Sequence, residues 1–188
     1  MADRGMDRLA PVLCDRGFGL LRFNFLYREA GSSRPDPMSR LTQCFEAVVA
    51  HARAQFGEKP LIIGGRSMGG RAASMMAAGG FACDGLLLFA YPLHPPGKPE
   101  QLRVAHLPRI QVPVLCINGT RDAFCTRALM ERALETVRTA WTMHWIEGAD
   151  HSFRVLKSSG RTDADVHAEI GEGCRHWIGH AVESAAEG

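Results

Sequence analysis

The chain has 188 residues and a mass of 20.6 kDa, which suits one domain with one sizeable core, and we expect residues 1–188 to form it. A hydrophobic fraction of 46% and a charged fraction of 22% exclude extended disorder. The formal net charge of +2 comes from interspersed acidic and basic residues. Because a phosphate backbone requires a clustered basic stripe, nucleic acid is not an expected partner.

The sequence contains no sign of a membrane span or of secretion. No apolar run approaches the roughly 20 residues that cross a bilayer, and residues 1–9 lack the apolar core of a signal peptide. We therefore expect a cytoplasmic protein with no membrane partner. The six cysteines form no CxxC pair, so we expect reduced, mostly buried thiols rather than disulfides.

Short apolar runs alternate with longer amphipathic stretches along the chain. The apolar runs predict strands, at residues 18–23, 61–64, 85–89, 114–117 and 142–146. Helical periodicity covers residues 6–14, 39–56 and 68–78, and a C-terminal stretch that follows the capping-box pattern Thr162-x-x-Asp165. Since most strands are continuously apolar, helices should cover both faces of a mostly parallel sheet, in an α/β fold with right-handed crossovers.

Two segments are predicted loops because they combine polar residues with proline and glycine, residues 27–37 and 91–99. Ligands bind in α/β proteins at loops that follow the carboxyl ends of parallel strands. Tyr91 and His94, which follow the strand 85–89, are therefore candidate substrate-binding residues.

The segment 64–71, GGRSMGGR, follows a predicted strand and opens a predicted helix. It lacks the patterns of the Walker loop and of the dinucleotide loop, but it contains G-x-S-x-G centred on Ser67. A sharp strand-to-helix turn of this kind exposes the serine as a nucleophile, with the glycines making room for neighbouring backbone. The N–H of Met68, at the helix start, would donate to an oxyanion. A glycine-rich turn with an N-capping serine has the same sequence, so the motif alone leaves both interpretations open.

An acid and a histidine follow in the order that accompanies this turn. Asp122 comes just after the strand 114–117, and His151 just after the strand 142–146, so all three loops open on one edge of the sheet. Asp122 has the alternative role of capping the following helix. Asp150 competes as the acid, but adjacent loop residues rarely aim at each other, and a supporting or solvated role is preferred.

Other candidates carry simpler interpretations. Arg66 and Arg71 flank the turn and would either orient an anionic substrate or pair with surface carboxylates; the second is simpler, and Arg66 is kept as a candidate substrate-binding residue. Cys125 lies near Asp122, but no glycine-rich turn presents it as a nucleophile. Five further histidines lie on helical or strand patterns, and we expect them to be surface or structural residues: His51, His144, His167, His176 and His180.

Four segments of the sequence together resemble a small α/β-hydrolase-like family: GGRSMGGRAASMMA, YPLHPPGKPE, NGTRDAFC and GADHSF. This family includes bacterial hydrolases and a subunit of the non-specific-lethal histone acetyltransferase complex. The resemblance covers nearly the whole chain. It implies the α/β-hydrolase fold and a triad of Ser67, Asp122 and His151, while leaving the substrate open. The chemistry of such a triad needs no metal or organic cofactor, so none is expected.

The sequence departs from the family pattern at its N-terminus. Relatives are expected to begin with a strand that ends in a His-Gly-rich loop, whose backbone N–H is the second oxyanion donor. That strand would lie between the strands 18–23 and 61–64, so its absence would leave buried backbone groups unpaired. We expect a truncated N-terminus, through a late start-codon assignment or the choice of expressed segment. In a complete chain, the neighbouring strands would have to close up or another chain fill the gap.

The sequence as a whole predicts a serine hydrolase that acts on a small ester, thioester or related acyl compound. Only residues 91–108 stand where larger relatives insert a lid, so an open site is expected. Two alternatives remain: a catalytically impaired scaffold or protein-interaction module, and a ligand binder that uses the same pocket without turnover. The complete set of Ser67, Asp122 and His151 favours the hydrolase. The sequence does not determine an oligomeric state.

Overall fold

The structure is a computed structural model that describes residues 4–15 and 19–186, with side chains for residues 6–15 and 19–179. Four strands alternate with helices. The elements in chain order are α1 (Arg4–Cys14), α2 (Leu26–Glu29), α3 (Met38–Phe56), β1 (Ile62–Arg66), α4 (Met68–Ala78), β2 (Gly85–Phe89), β3 (Val114–Gly119), α5 (Arg127–Leu134), β4 (Trp141–Ile146) and α6 (Asp163–Ala186). Two short 3-10 helices lie at Leu107–Arg109 and Lys157–Ser159.

The strands form one parallel sheet in the order β1-β2-β3-β4. Arg66 at the end of β1 lies opposite Phe89, which in turn lies opposite Ile117 of β3. Because the strands run the same way and in register, the loops that follow their carboxyl ends gather at one edge of the sheet.

The core lies on both faces of the sheet. Side chains alternate along each strand, so Leu86 and Leu88 of β2 face the layer of α3, α4 and α5, whereas Leu87 and Phe89 face the layer of α1 and α6. Every residue of β2 and β3 is buried as a result. The predicted parallel sheet with helices on both faces is confirmed.

Local signals explain the helix boundaries. The capping box at α6 forms as predicted: Thr162 N–H donates to Asp165 Oδ2 at 2.7 Å, and Asp165 N–H donates to Thr162 Oγ1 at 3.2 Å. The helix predicted at residues 68–78 matches α4, and the one predicted at 39–56 starts one residue earlier. Helix α5 was not among the predicted helices. No helix in residues 4–15 and 19–186 is long and apolar enough to cross a bilayer.

The predicted strand at residues 18–23 is wrong over its described part, residues 19–23, while residue 18 lies outside the described residues. A strand needs a neighbour for its backbone groups, and β1, the edge of the sheet among described residues, does not pair with this segment. The segment packs through side chains instead, with the Phe23 ring edge-on to Phe45 of α3 at 5.0 Å. The two neighbouring segments therefore do not close up into a continuous sheet.

Two smaller predictions need adjustment. The predicted loop 27–37 begins inside one helical turn, α2. None of the six cysteines is in a disulfide in this structure, and only Cys116, Cys125 and Cys174 are buried, so half of the thiols that were expected to be mostly buried are not.

Candidate active site

Ser67 lies in a strained turn between β1 and α4. Its backbone angles are φ 53° and ψ −114°, a region that residues with a side chain rarely occupy. Two hydrogen bonds hold the turn: Ser67 N–H donates to Phe89 O at 2.9 Å, and Arg71 N–H donates to Ser67 O at 3.0 Å. The hydroxyl makes no capping bond to α4, so the N-capping interpretation is wrong.

The glycines around Ser67 permit a close approach of β1 and α4. A Cβ atom at Gly65 would lie 2.9 Å from the carbonyl carbon of Gly69, and one at Gly70 would lie 2.7 Å from the carbonyl oxygen of Gly65. A Cβ at Gly69 would meet nothing within 4 Å. Glycine is therefore sterically required at Gly65 and Gly70, whereas Gly69, the second glycine of the G-x-S-x-G motif, is not required for this reason.

His151 lies between Ser67 and Asp122. Its Nε2 is 3.0 Å from Ser67 Oγ, and its Nδ1 is 2.8 Å from Asp122 Oδ2. The structure thus brings together the three side chains that the sequence singled out. Ser67 and His151 are partly exposed, whereas Asp122 is buried, so the acid end of this arrangement is shielded from water.

The loop that carries Asp122 positions both carboxylate oxygens. Oδ1 accepts from the N–H of Phe124 at 2.8 Å, and Oδ2 also accepts from Asn118 Nδ2 at 3.3 Å. Asp122 does not cap the next helix, because Thr126 does so, with its Oγ1 accepting from Leu129 N–H at 3.3 Å. The alternative role of Asp122 as a helix cap is therefore wrong.

The loop that carries His151 is held by Asp150. Asp150 Oδ1 accepts from the N–H groups of Ser152 at 2.8 Å and Arg154 at 3.0 Å. These bonds turn its carboxylate towards its own loop, as expected for a supporting residue. The loop packs directly on the end of β3, where a Cβ at Gly119 would lie 2.2 Å from Ala149 O.

Arg66 lies at the edge of this site. Its Nη2 donates to the carbonyl oxygen of His151 at 2.9 Å and to Ser152 Oγ at 3.4 Å. The guanidinium therefore braces the histidine loop. Arg71 forms no ion pair with any carboxylate in the described part of the chain, so the simpler interpretation of its charge is wrong.

Tyr91 and His94 are buried, at 0% and 3% exposure. Tyr91 N–H donates to Asn118 Oδ1 at 3.0 Å, and its ring points into the core, so the expectation that its side chain contacts substrate is wrong. His94 Nδ1 donates to Pro95 O at 2.8 Å, and its ring lies 6.5 Å from that of Phe124. Phe124 in turn lies 4.6 Å from the His151 ring, so His94 is connected to the site through Phe124.

A second serine–histidine pair, which sequence reasoning missed, lies in the core. Ser74 Oγ is 2.9 Å from both His106 Nε2 and the Tyr91 hydroxyl, and we call these three residues the buried polar cluster. Burial, with the charges of Arg71 and Arg109, lowers the pKa of His106 to about 4, so its ring is neutral at pH 7. The only signal in the sequence was a lone serine within the small, apolar run AASMMAA.

The buried polar cluster differs from the Ser67 site in access. Ser74 and Tyr91 are 0% exposed and His106 is 4% exposed, so none can meet a substrate from solvent. Burial also raises the pKa of Tyr91, which keeps its hydroxyl protonated. A groove of about 680 Å³ between residues 21–26 and α3 contains no member of either group.

Comparisons with known proteins agree with the fold. The sequence profile of the alpha/beta hydrolase domain family matches residues 1–179. An alpha-beta serine hydrolase homologue from Coxiella burnetii has a TM-score of 0.73 and 18% identity, with 94% of this chain and 76% of that chain covered. A serine hydrolase without a lid from Xanthomonas campestris has a TM-score of 0.73 and 23% identity, with coverage of 94% and 75%.

A third solved structure covers a similar share of the chain. The monoacylglycerol lipase of Paleococcus ferrophilus has a TM-score of 0.70 and 16% identity, with 93% of this chain and 90% of that chain covered. At such identities the structures compare folds alone, and they confirm the predicted fold. The resemblance to the chromatin-complex subunit stays a prediction.

Proposed function

Because this chain belongs to the alpha/beta hydrolase domain family, we propose that it is a serine hydrolase that cleaves a small ester, thioester or related acyl compound. One observation carries the proposal. His151 lies within hydrogen-bonding distance of both Ser67 and buried Asp122, at the sheet edge where the three loops meet. A nucleophile, a base and an orienting acid are the groups that acyl transfer requires.

The proposed reaction has two halves. Ser67 Oγ attacks the acyl carbonyl while His151 Nε2 takes the hydroxyl proton. Asp122 Oδ2 accepts from the Nδ1–H of His151, which leaves Nε2 free to act as the base. His151 then passes the proton to the departing alcohol or thiol, and water repeats the steps to release the acid from the acyl-enzyme.

Met68 N–H is the proposed donor to the oxyanion. Met68 is the first residue of α4, and the first N–H groups of a helix have no partner within the helix. The helix dipole adds positive potential at the same end. One such donor contributes roughly a hundred- to a thousandfold to turnover in serine hydrolases.

An uncovered site favours a small substrate. One of the solved structures of similar fold is a serine hydrolase without a lid, and residues 91–99 form no helix or strand that would cover the site. The cytoplasmic location stays a prediction from the sequence.

The test is intact-mass labelling with an uncharged fluorophosphonate. We expect one adduct on the wild-type protein and none on Ser67→Ala or His151→Ala. Ser74→Ala is the matched control, because it removes a serine that also lies 2.9 Å from a histidine but is fully buried. That variant should keep the adduct.

Two outcomes would overturn the proposal. One is the absence of an adduct on wild-type protein whose folding has been verified by circular dichroism, which the scaffold alternative predicts. The other is an adduct that persists in Ser67→Ala. A positive result would lead to a panel of esters and thioesters of increasing acyl length.

A further inference from the structure

Arg71 lies one helical turn after the proposed nucleophile. Its backbone N–H donates to Ser67 O at 3.0 Å, in the first turn of α4. Side chains on a helix generally lean towards its N-terminus, which for α4 is the end that carries Ser67. Any group it binds would therefore lie close to the reacting atoms.

The charge of Arg71 has no partner in the described part of the chain. No carboxylate there forms an ion pair with it, and Nη1 is enclosed without a hydrogen-bond partner. Among the described residues, five other arginines do pair with carboxylates through their terminal nitrogens. They are Arg8 with Asp163, Arg22 with Asp7, Arg40 with Asp36, Arg161 with Glu169 and Arg175 with Glu172.

The neighbours of Arg71 do not compensate its charge. Burial lowers the pKa of Arg71, and the charge of Arg103 lowers it further, against an opposing effect of Tyr91. Tyr91 keeps its proton and His106 is neutral at pH 7, so neither supplies a negative charge. Arg71 is only partly buried, but enclosing its Nη1 without a partner costs free energy, and an anion bound beside it would offset that cost.

Arg103 adds a second cation on the loop that follows β2. Its backbone N–H donates to Leu93 O at 2.7 Å, which ties the two ends of this loop together. No carboxylate in the described residues pairs with its side chain. The charge of Arg103 thus reaches Arg71 from a different element and lowers the pKa of Arg71, whereas Arg66 is engaged by the backbone of the histidine loop.

We propose that Arg71, with Arg103 beside it, binds an anionic group of the substrate, a carboxylate or a phosphate, next to Ser67. This inference rests on the proposed hydrolase function. The planar guanidinium matches both oxyanions with paired N–H donors. The substrate class is therefore narrowed to acyl compounds that carry an anionic group, either on the acyl chain or on the leaving group.

The first test measures binding to the Ser67→Ala protein by calorimetry. Monomethyl adipate and methyl hexanoate have acyl chains of equal length, but only the first ends in a carboxylate. We expect the charged ester to bind at least about tenfold more tightly, as a charge-assisted hydrogen bond predicts. Adding Arg71→Met should abolish this preference, whereas Arg132→Met, at an exposed arginine on α5, should leave it unchanged.

A second pair of ligands locates the anion. Hexanoyl-pantetheine and hexanoyl-4′-phosphopantetheine differ only by a phosphate on the leaving group. A preference that depends on Arg71 in either pair supports the proposal and assigns the anion to the acyl chain or to the leaving group. Equal affinity within both pairs overturns it. Arg103→Gln, which should weaken the same preference, tests the inference independently in case Arg71→Met does not fold.

The design separates this inference from the proposed function. The fluorophosphonate carries no charge, so labelling of Ser67 reports nucleophile activation whether or not the anion site exists. Labelling without a preference for charged ligands would overturn the anion site alone. A preference that depends on Arg71, found in a protein that cannot be labelled, would leave the anion site in place and overturn the hydrolase.

Discussion

Asp122 and Asp150 illustrate how a single residue gains its role from the direction of its side chain. Both lie on loops at the same sheet edge, and both carry a carboxylate close to His151 in the sequence or in space. Asp122 Oδ2 lies 2.8 Å from the imidazole Nδ1, whereas Asp150 accepts two N–H groups from its own loop. The first is placed to orient the ring, and the second holds the loop that carries it.

The same substitution at the two acids should therefore have unequal effects. Asp122→Asn should lower kcat by about 10⁴, because the amide favours the wrong tautomer of His151. Asp150→Asn should lower kcat far less, since the amide oxygen of asparagine can still accept from the N–H groups of Ser152 and Arg154. Steady-state kinetics on a 4-nitrophenyl ester, together with the rate of fluorophosphonate labelling, measure both. Asp150 would be the orienting acid if the larger loss occurred there.

Two elements, β1 and α4, create the turn at Ser67 by approaching closely. Their contact is backbone to backbone: the Gly65 carbonyl faces Gly70, at a distance that excludes a methyl group. The first turn of α4 is then drawn against the strand, and Ser67 is left in a conformation that only such surroundings maintain. Packing of the elements, rather than the preference of the serine, determines the turn.

Gly70→Ala and Gly69→Ala test this account at neighbouring positions of one helix. Gly70→Ala should lower the free energy of unfolding by about 1–3 kcal/mol and slow labelling of Ser67, because its methyl group displaces the Gly65 carbonyl. Gly69→Ala should raise stability by roughly 0.5–1 kcal/mol, since alanine favours helix and meets no obstacle. Urea unfolding and labelling rates give the comparison. Indistinguishable variants would contradict the steric argument.

Across the whole molecule, buried polar groups connect the helical layer to the sheet. Ser74 on α4 meets Tyr91 and His106, Tyr91 N–H meets Asn118 at the end of β3, and Asn118 meets Asp122. This chain of hydrogen bonds runs from the core to the proposed active site. Its members meet one another only in the folded state, so a member whose pKa changes on folding makes stability depend on pH.

The pKa of His106 predicts a loss of stability in mild acid. The folded pKa of about 4 lies below the unfolded value near 6.5, so between these pH values the unfolded chain binds a proton that the folded protein does not. The free energy of unfolding should therefore fall as pH is lowered through this window, by about 3 kcal/mol in total. The nearby charges of Arg71 and Arg109 act in the same direction.

His106→Gln provides the measurement. Urea unfolding at pH 7 and at about pH 4.5 should show a smaller drop for this variant than for the wild type, because the titrating group is gone. His51→Gln, at an exposed position on α3, is the matched control and should keep the wild-type drop. An unchanged drop in His106→Gln would mean that this histidine is not the group responsible.

Local sequence patterns were sufficient to predict most of the fold. Continuous apolar runs predicted both ends of β2, because its residues are buried on both faces. The glycine-rich turn at Ser67 predicted the start of α4, because the sterics of a turn involve neighbouring residues. The candidate site followed from the same logic. Residues just after parallel strands meet at one edge, which is why Ser67, Asp122 and His151 could be chosen before their contacts were known.

The sequence by itself determined the parallel sheet, its covering helices and three residues of the candidate site. Only the tertiary structure decided that Tyr91 is buried with Ser74 and His106, and that, among the described residues, residues 19–23 lack a strand partner and Arg71 lacks a carboxylate partner. Each of these outcomes depends on contacts between segments far apart in the chain. Backbone pairing, burial and ion pairing are properties of two partners, and a pattern of neighbouring residues describes only one of them.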